Sequence, residues 1–219
     1  MNRIRPKLKE NDPDGFLRNI SGVIHVGANT GQERKIYRKF GLRVIWIEPI
    51  PEVFKILKAN LRGFPGQRAM QCLITDRDDE EYRFHIANNK GASSSILDMK
   101  HCKKIWPNLN YTDTILLRST TLVSLFERES INSSNYQALI MDTQGSELLV
   151  LKGSIPLLPN FEYVKTEVAD FESYAGCCQL ADIDSFMTQH GYIEFSLSRL
   201  GTRPEGGSYF DIVYKKKAR

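Results

Sequence analysis

The feature that most constrains the fold is an apolar segment, residues 23–26, that ends in the turn Gly-Ala-Asn-Thr-Gly at residues 27–31. About twenty residues later a second apolar segment, Arg43–Ile47, ends on the carboxylate Glu48. A strand, a glycine-containing turn that opens a helix, and a second strand ending on an acidic residue together form a nucleotide-binding βαβ unit. The glycines allow close approach of the backbone to a ligand, and the helix start offers unpaired N–H groups. The pattern therefore predicts a ligand site at the ends of the first two strands of a parallel sheet.

The predicted ligand is an adenosine-type cofactor, because Glu48 can accept hydrogen bonds from both hydroxyls of a ribose. A dinucleotide fingerprint has glycines spaced Gly-x-Gly-x-x-Gly, which cradle a pyrophosphate. Here Asn29 takes the middle position and Gly31 comes early, so less bare backbone faces a diphosphate. We therefore favour S-adenosylmethionine, which has a sulfonium and no phosphate, and keep a dinucleotide as the alternative.

Size and composition predict one globular domain over residues 1–219, with 41% hydrophobic residues, a polar lead-in over residues 1–19 and a basic tail over residues 215–219. No apolar run approaches the roughly twenty residues that cross a bilayer. The N-terminal residues also lack the apolar core of a secretion signal, so we expect a cytoplasmic protein without a membrane span. The four cysteines lack Cys-x-x-Cys spacing, which predicts reduced thiols. With a net charge of +4 and no basic stripe interleaved with aromatics, nucleic acid is not an expected partner.

From residue 23 onward, short apolar segments alternate with helical patterns, which predicts a parallel sheet covered on both faces. The main strands are predicted at residues 23–26, 43–47, 69–74, 138–141 and 163–168, with a final antiparallel pair at 192–197 and 209–214. Helices are predicted at residues 31–40, 51–61, 122–129, 146–152 and 180–189. Residues 81–86 and 115–118 read as strands of a small β insertion, and residues 101–114 as a loop. The predicted fold is the α/β class I methyltransferase fold, a Rossmann-like three-layer sandwich whose mostly parallel seven-stranded sheet has the order 3-2-1-4-5-7-6.

Several short segments occur in a recognisable order: His-Val-Gly-Ala-Asn-Thr-Gly at residues 25–31, Glu-Pro at 48–49, Gly-Ala-Ser-Ser-Ser at 91–95, Thr-Thr-Leu at 120–122, and residues 139–153. Together they resemble the FkbM family of S-adenosylmethionine-dependent O-methyltransferases. The last segment, with its Asp-x-x-Gly-x-Glu pattern, is the most specific. Three positions depart from the family pattern. His25 and Gln144 stand where the family usually has Asp and Glu, and Val123 replaces an Asp that often follows Thr-Leu.

We expect the cofactor to be bound by residues of these segments and of the neighbouring strand ends: His25, Gly27, Ala28, Asn29, Gly31, Glu48, Pro49, Leu73, Ile74, Asp76, Ser94, Asp142 and Gln144. Leu73 and Ile74 are predicted to flank the adenine, and Asp76 to reach its amino group. His25 is expected either to contact the amino-acid end of the cofactor or to be a hydrogen-bonded core residue.

The predicted catalytic residues are Asp142 and Glu167, which follow or end neighbouring strands. A hydroxyl is a weak nucleophile at neutral pH and benefits from a general base, for which Asp142 is the first candidate and Glu167 the second. Alternatively, Asp142 caps the next helix through Ser146 or hydrogen-bonds the cofactor. No metal is predicted, although a divalent cation shared by the two carboxylates, with Asp170 or Gln144 as a further ligand, is a second alternative.

The predicted function is methyl transfer to a hydroxyl of a sugar, a glycan or a secondary metabolite. One alternative is RNA or protein methylation, suggested by the basic tail, and another is a non-catalytic protein, suggested by His25 and Gln144. A dinucleotide-binding protein is the further alternative, suggested by the fold. The acceptor is expected to be a small molecule or glycan held by loops at residues 90–113 and 202–208. No motif indicates an oligomeric state.

Overall fold

A computed structural model describes residues 14–218 of the chain. The strands of its main sheet are β1 (Gly22–Val26), β2 (Arg43–Ile47), β3 (Gln67–Met70), β7 (Ala138–Met141), β8 (Tyr163–Ala169), β9 (Tyr192–Thr202) and β10 (Ser208–Lys216). The strands of a smaller sheet are β4 (Leu73–Ile74), β5 (Glu81–Ala87) and β6 (Tyr111–Thr120). The α-helices are α1 (Arg34–Phe40), α2 (Pro51–Asn60), α3 (Leu122–Arg128), α4 (Glu147–Lys152) and α5 (Leu180–Gln189).

The main sheet has the order β3-β2-β1-β7-β8-β10-β9, and the smaller sheet has the order β4-β6-β5. The three strands of the smaller sheet interrupt the numbering. Counted within the main sheet alone, the order is 3-2-1-4-5-7-6, as predicted. Its strands are parallel except for β10, which pairs antiparallel with both β8 and β9. The order reverses beside β1, so the carboxyl ends of β1, β2 and β7 surround a crevice in which ligands of such sheets bind.

Two apolar cores cover the two faces of the main sheet and make the three layers. One core joins the strands to α3, α4 and α5 through Leu122, Phe126, Val150, Ile183 and Met187. The other joins them to α1 and α2 through Tyr37, Leu57 and Leu61. Because both faces are buried, β1 and β7 are apolar at nearly every position, which is why these strands could be recognised in the sequence.

The predicted third strand at residues 69–74 is wrong in extent, because the chain leaves the main sheet after Met70. Leu73 and Ile74 pair instead with Ser119 and Thr120 of β6, in the smaller sheet. The predicted loop at residues 101–114 is also too long, since β6 begins at Tyr111 and pairs with β5 from there. Both errors arise from β6, which is long enough to pair with both β4 and β5. The local sequence pattern does not show pairing between segments so far apart in the chain.

Both terminal segments contribute residues that pack against the main sheet. In the lead-in, Phe16 and Leu17 are buried, and the ring centroid of Phe16 lies 5.2 Å from that of Tyr163. In the basic tail, Lys215 and Lys216 belong to β10, and the Lys216 ammonium donates to the Pro159 carbonyl at 2.6 Å. Residues 1–13 and Arg219 of these two segments lie outside the described residues.

Two further expectations concern the membrane and the thiols. Over residues 14–218 no helix combines the length and the apolar character needed to cross a bilayer. Cys72, Cys102, Cys177 and Cys178 are all free thiols, as predicted.

Candidate active site

The turn after β1 draws three strands together. The amides of Gly27 and Ala28 both donate to the Ile47 carbonyl of β2 at 3.0 Å, and the Asp142 amide donates to the Val26 carbonyl at 3.0 Å. Gly27 has a φ of 78°, and a Cβ at this position would lie 1.9 Å from the Asp142 carbonyl oxygen. Only glycine satisfies both constraints, so this residue sets how closely the ends of β1 and β7 approach.

Replacing Gly27 with alanine is expected to lower the free energy of unfolding by about 3 kcal/mol, because it adds a backbone clash to left-handed strain. Gly63 provides a matched control, since its φ of 82° is similar but a Cβ added there would meet no atom within 4 Å. Gly63→Ala is expected to cost only about 1 kcal/mol. Urea denaturation of both variants measures the difference, and equal losses would contradict this close approach of the strand ends.

Glu48 is buried at the end of β2 with both carboxylate oxygens held. Oε2 accepts the Asn29 amide at 2.8 Å, and Oε1 accepts the Ile50 amide at 2.9 Å. Burial raises the pKa of Glu48 to about 7, against the lowering effect of these two amides and with a further increase from the charge of Asp142. The carboxyl group is therefore fixed in orientation, and each oxygen keeps a lone pair for a ligand.

Asn29 connects the turn to the loop that follows β5. Its φ is 44°, its Oδ1 accepts the Thr30 amide at 2.8 Å, and its Nδ2 donates to the Lys90 carbonyl at 3.2 Å. Asparagine suits this position, because it tolerates left-handed backbone and bonds to its own turn. The loop at residues 88–97 is thereby held against the turn that follows β1.

A cavity lies between this loop and the ends of β1, β2 and β7. Most of the predicted cofactor residues line it, namely Gly27, Asn29, Glu48, Pro49, Leu73, Ile74, Ser94 and Asp142. Other lining residues were not predicted from the sequence, among them Ile50, Cys72, Phe84, Thr143 and Ser146. Phe84 could have been suspected, since it is an apolar position of the alternating segment 81–86 beside the predicted site.

The cavity is a narrow slot of about 40 Å³. Its outer wall is fixed by Ser94, whose Oγ accepts the Ala87 amide at 2.9 Å, and by Ser95, which exchanges backbone hydrogen bonds with His85. At Gly91 a Cβ would lie 3.0 Å from the Ile50 side chain, so the loop rests directly on the chain that leads into α2. The loop therefore closes the outer side of the slot.

The structure places five predicted cofactor residues away from the slot. Ala28 is buried in the core beside α1, and Gly31 packs against Leu57 of α2. Asp76 lies beside the backbone of Gly153 and lines neither the slot nor the two cavities next to it. Loop packing, which local sequence does not encode, decides these positions.

His25 is the fourth, and its side chain faces the core on the α1 side of the sheet. Its ring stacks on Trp46 with centroids 5.0 Å apart, and its Nδ1 shares a hydrogen bond of 3.0 Å with the Tyr37 hydroxyl. Burial, assisted by the charge of Lys165, lowers the pKa of His25 to about 3. Of the two expectations for His25, the geometry favours the hydrogen-bonded core residue over the cofactor ligand.

Asp142 follows β7 and is not the cap of the next helix. The N-cap position belongs to Ser146, and Glu147, the first residue of α4, accepts the amide of Thr143 at 3.0 Å and that of Gly145 at 3.0 Å in the turn before the helix. Asp142 accepts instead a short hydrogen bond from the Gln144 side-chain amide. Gln144 in turn accepts the Tyr174 hydroxyl at 2.6 Å. This chain of hydrogen bonds holds Oδ1 of Asp142, whereas Oδ2 accepts no hydrogen bond from the residues of the described range 14–218.

Asp142 and Glu167 form an acidic pair where three cavities meet. Asp142 lines the slot and a third cavity beneath α1, and Glu167 lines that third cavity and a neighbouring cleft. Burial raises the pKa of Asp142 to about 7 and that of Glu167 to about 9, and the charges of nearby carboxylates add to both increases. The pair therefore retains at least one proton at neutral pH.

The third cavity contains a cation that was not predicted from the sequence. The Lys165 ammonium lies 2.9 Å from Asp211 and 3.3 Å from Asp14, and although burial opposes its charge, these carboxylates keep its pKa above the usual value. Strand alternation places Lys165 and Glu167 on the same face of β8, which is the signal that could have found it. Across residues 14–218 no group of three or more His, Cys, Asp or Glu side chains is arranged to hold a metal ion.

Tyr174→Phe is expected to lower turnover about tenfold while leaving the affinity for the cofactor unchanged, because the Gln144 amide loses the donor that fixes its orientation. Tyr111→Phe is the matched control. It removes a hydroxyl that donates to the Leu97 carbonyl at 2.6 Å in the same apolar cluster, whereas the hydroxyl that Gln144 accepts belongs to Tyr174. Steady-state rates and cofactor titrations of both variants separate the two roles. Equal rates would rule out orientation of Asp142 by Tyr174.

The neighbouring cleft has a volume of about 460 Å³ and is lined by Asn88, Asn89, Ser93, Ile105, Trp106, Pro107, Asn108, Leu109, Gln144, Glu167 and Tyr209. Gln144, predicted to touch the cofactor, lies here rather than in the slot. The predicted acceptor loop at residues 90–113 contributes most of the wall, whereas residues 202–208 contribute none of it.

Comparison with known families gives one extensive match. Residues 25–194 match the sequence profile of the Methyltransferase FkbM domain. No curated protein matches the chain at a significant level.

Solved structures share the fold at low sequence identity. Sp1610 of Streptococcus pneumoniae, provisionally identified as a tRNA (m1A22) methyltransferase and solved with S-adenosyl-L-methionine, has a TM-score of 0.51 at 9% identity, over 93% of this chain and 72% of that one. Precorrin-6y C5,15-methyltransferase of Geobacter metallireducens has a TM-score of 0.50 at 9% identity, over 90% and 81%. An uncharacterised protein of Listeria monocytogenes has a TM-score of 0.52 at 8% identity, over 97% and 70%. The predicted class I methyltransferase fold is confirmed.

Proposed function

The chain belongs to the FkbM methyltransferase family, and from this premise we propose that it is an S-adenosylmethionine-dependent O-methyltransferase. Its acceptor in this proposal is a hydroxyl of a sugar, a glycan or a secondary metabolite. In this proposal the slot holds the cofactor and the cleft beside Gln144 and Glu167 holds the acceptor, and Asp142 lines the slot and accepts a hydrogen bond from Gln144 of the cleft.

One observation carries the cofactor assignment. Glu48 is held by the amides of Asn29 and Ile50, and its carboxylate lines a slot which Asp142 also lines. A carboxylate fixed in this way suits the two hydroxyls of a ribose. The turn carries the Asn29 side chain where a dinucleotide fingerprint has glycine, which disfavours a pyrophosphate. Sp1610, which shares the fold, binds S-adenosyl-L-methionine.

Asp142 is the general base of this proposal. When bound, the cofactor supplies an electrophilic methyl group on a sulfonium. Oδ2 of Asp142 accepts the proton of the acceptor hydroxyl, while Gln144 holds Oδ1 and thereby fixes the direction of the carboxylate. Glu167, protonated at neutral pH, adds no second negative charge and can donate a hydrogen bond to the acceptor.

The covering loop contributes by excluding water. Ser94 and Gly91 hold it against the slot, so the reacting atoms are enclosed when the loop is closed. Alignment of the hydroxyl with the methyl group then supplies much of the rate, because the donor is intrinsically reactive.

Titration calorimetry tests the cofactor assignment. We expect saturable binding of S-adenosylmethionine and of its product S-adenosylhomocysteine, and none of NADH. Transfer of labelled methyl from the cofactor to a panel of glycosides, polyols, RNA and peptides then tests the reaction. Binding of NADH alone, or methylation only of RNA or peptide, would overturn the proposal.

A further inference from the structure

The cleft beside the acidic pair has a wall that is organised rather than loose. The amides of Lys100, His101 and Cys102 all donate to the Ser173 carbonyl, at 3.0, 3.0 and 3.1 Å. The Trp106 amide donates to the Cys102 carbonyl at 3.0 Å, and the Leu109 amide donates to the Trp106 carbonyl at 3.1 Å. The residues from 100 to 109 therefore form a fixed arch, although little of the arch is regular secondary structure.

Trp106 projects from this arch into the cleft. Its side chain is 41% exposed, although tryptophan is usually buried. The ring meets Tyr209 edge to face, with centroids 5.3 Å apart and planes at 69°. Tyr209 is itself buried and shares a hydrogen bond of 3.1 Å with Ser173. The indole is thus supported at one edge, and it still offers exposed aromatic surface to a ligand in the cleft.

The polar side chains of the cleft are mainly amides. Asn88, Asn89, Asn108 and Gln144 line it together with the Ser93 hydroxyl. Asn88 is braced by a hydrogen bond from the Asn110 amide at 3.2 Å and by donation to the Asn108 carbonyl at 2.8 Å. Amides both donate and accept, which is what the hydroxyls of a polyol require.

Charge is scarce in the same place. Among the described residues that line the cleft, none is Lys or Arg, and Glu167 is the one acidic side chain. Phosphate groups are recognised by Arg, Lys or clustered backbone amides. An anionic acceptor would therefore find no compensating cation among the described residues of the cleft wall.

We propose, building on the function proposed above, that the acceptor is an uncharged sugar ring that lies on the face of Trp106, with its hydroxyls on the surrounding amides and the reacting hydroxyl toward Gln144 and Glu167. The apolar C–H face of a pyranose packs on an aromatic ring, while its equatorial hydroxyls reach polar groups at the rim. The site selects against acceptors with a phosphate on the same ring, including nucleotide sugars and RNA.

Intrinsic fluorescence provides a direct binding test, because the chain has only two tryptophans. Trp46 is fully buried against His25, so a change in emission on adding a sugar reports on Trp106. The probes are neutral methyl glycosides of hexoses and pentoses, and the corresponding sugar phosphates, titrated into the full chain saturated with S-adenosylhomocysteine. We expect a saturable change with at least one neutral glycoside and none with its phosphate.

Three variants assign the effect to the indole. Labelled-methyl transfer to the glycoside that binds should have a KM about tenfold higher in Trp106→Ala and within about threefold of wild type in Trp106→Phe, which keeps an aromatic face. Leu116→Ala, at an exposed apolar residue of β6 that does not line the cleft, should match wild type. Melting temperatures verify that all three variants fold.

The outcomes separate this inference from the function on which it rests. If the chain binds S-adenosylmethionine but no neutral glycoside changes the emission, or if sugar phosphates or RNA bind better, the sugar platform is wrong and the cofactor assignment stands. An unchanged KM in Trp106→Ala would equally overturn the platform. If S-adenosylmethionine itself does not bind, the proposed function is wrong, and the sugar inference that rests on it is withdrawn as well.

Discussion

Replacing Glu48 with alanine is expected to weaken S-adenosylmethionine binding about 1,000-fold. The substitution removes two charge-assisted acceptors for ribose hydroxyls, each worth about 1.5–3 kcal/mol. It also leaves the amides of Asn29 and Ile50 without their acceptor, so the turn loses its fixed geometry. Calorimetric titration of the variant with the cofactor measures the loss.

Glu52→Ala is the control for this experiment. Glu52 lies in the first turn of α2, is exposed, and makes only a 3.9 Å contact with Lys55. It is the same residue type as Glu48 and lies close to it in sequence, so its removal tests whether loss of any glutamate at this end of the sheet weakens binding. We expect unchanged affinity in Glu52→Ala. Cofactor affinity near that of wild type in Glu48→Ala would contradict the assignment of the ribose to this end of β2.

The Asp142→Asn variant is expected to lose between about 100-fold and 10,000-fold in turnover, while its affinity for the cofactor changes only a few-fold. Asparagine can still accept the hydrogen bond from Gln144, so the local geometry is preserved. It cannot accept a proton, so the base is lost. Single-turnover methyl transfer to an identified acceptor, measured beside calorimetry, gives both quantities.

The pH profile gives a second measurement on the same residue. Burial raises the pKa of Asp142 well above that of an exposed aspartate, and a base works only when ionised. The rate of wild type should therefore increase with pH near neutrality rather than near pH 4, the range of an unperturbed carboxyl. An increase confined to the acidic range would contradict a buried base.

Glu167→Gln distinguishes the two carboxyls. The pKa of Glu167 is raised further than that of Asp142, so Glu167 is still protonated at the pH at which Asp142 ionises. Glutamine imitates this neutral state. In Glu167→Gln we expect the rate to increase with pH over the same range as in wild type, and the rate itself to decrease by less than about tenfold. If Glu167→Gln loses more activity than Asp142→Asn, the roles of the two residues must be exchanged.

Much of the frame could be predicted from residues alone, for identifiable physical reasons. β7 is apolar at each of its four positions because both of its faces are buried, and its bounds were predicted correctly. Glu48 and Asp142 follow strands that lie beside the point where the sheet order reverses, so topology alone brings them to one crevice. These inferences rely on strand burial and on chain direction, which the sequence encodes locally.

The parts that could not be predicted depend on contacts between distant segments. Trp106 faces the cleft only because three amides of its arch share the Ser173 carbonyl, about seventy residues away. His25 follows the alternation of β1, and its burial depends on Trp46 and Tyr37 from other elements. Glu147, rather than Asp142, holds the turn before α4, because the amides of Thr143 and Gly145 both point toward its carboxylate.

The hydrogen bond between Asn29 and Lys90 has a consequence for the order of events during turnover. The loop at residues 88–97 forms the outer wall of the slot, so we expect entry of the donor and exit of the spent product to require that this loop lifts. The rate of nucleoside exchange should then depend on how stably β5 pairs with β6, because this pair carries the loop. Substitutions in the pair would change the overall turnover rate without changing a residue that contacts the methyl group or accepts the proton.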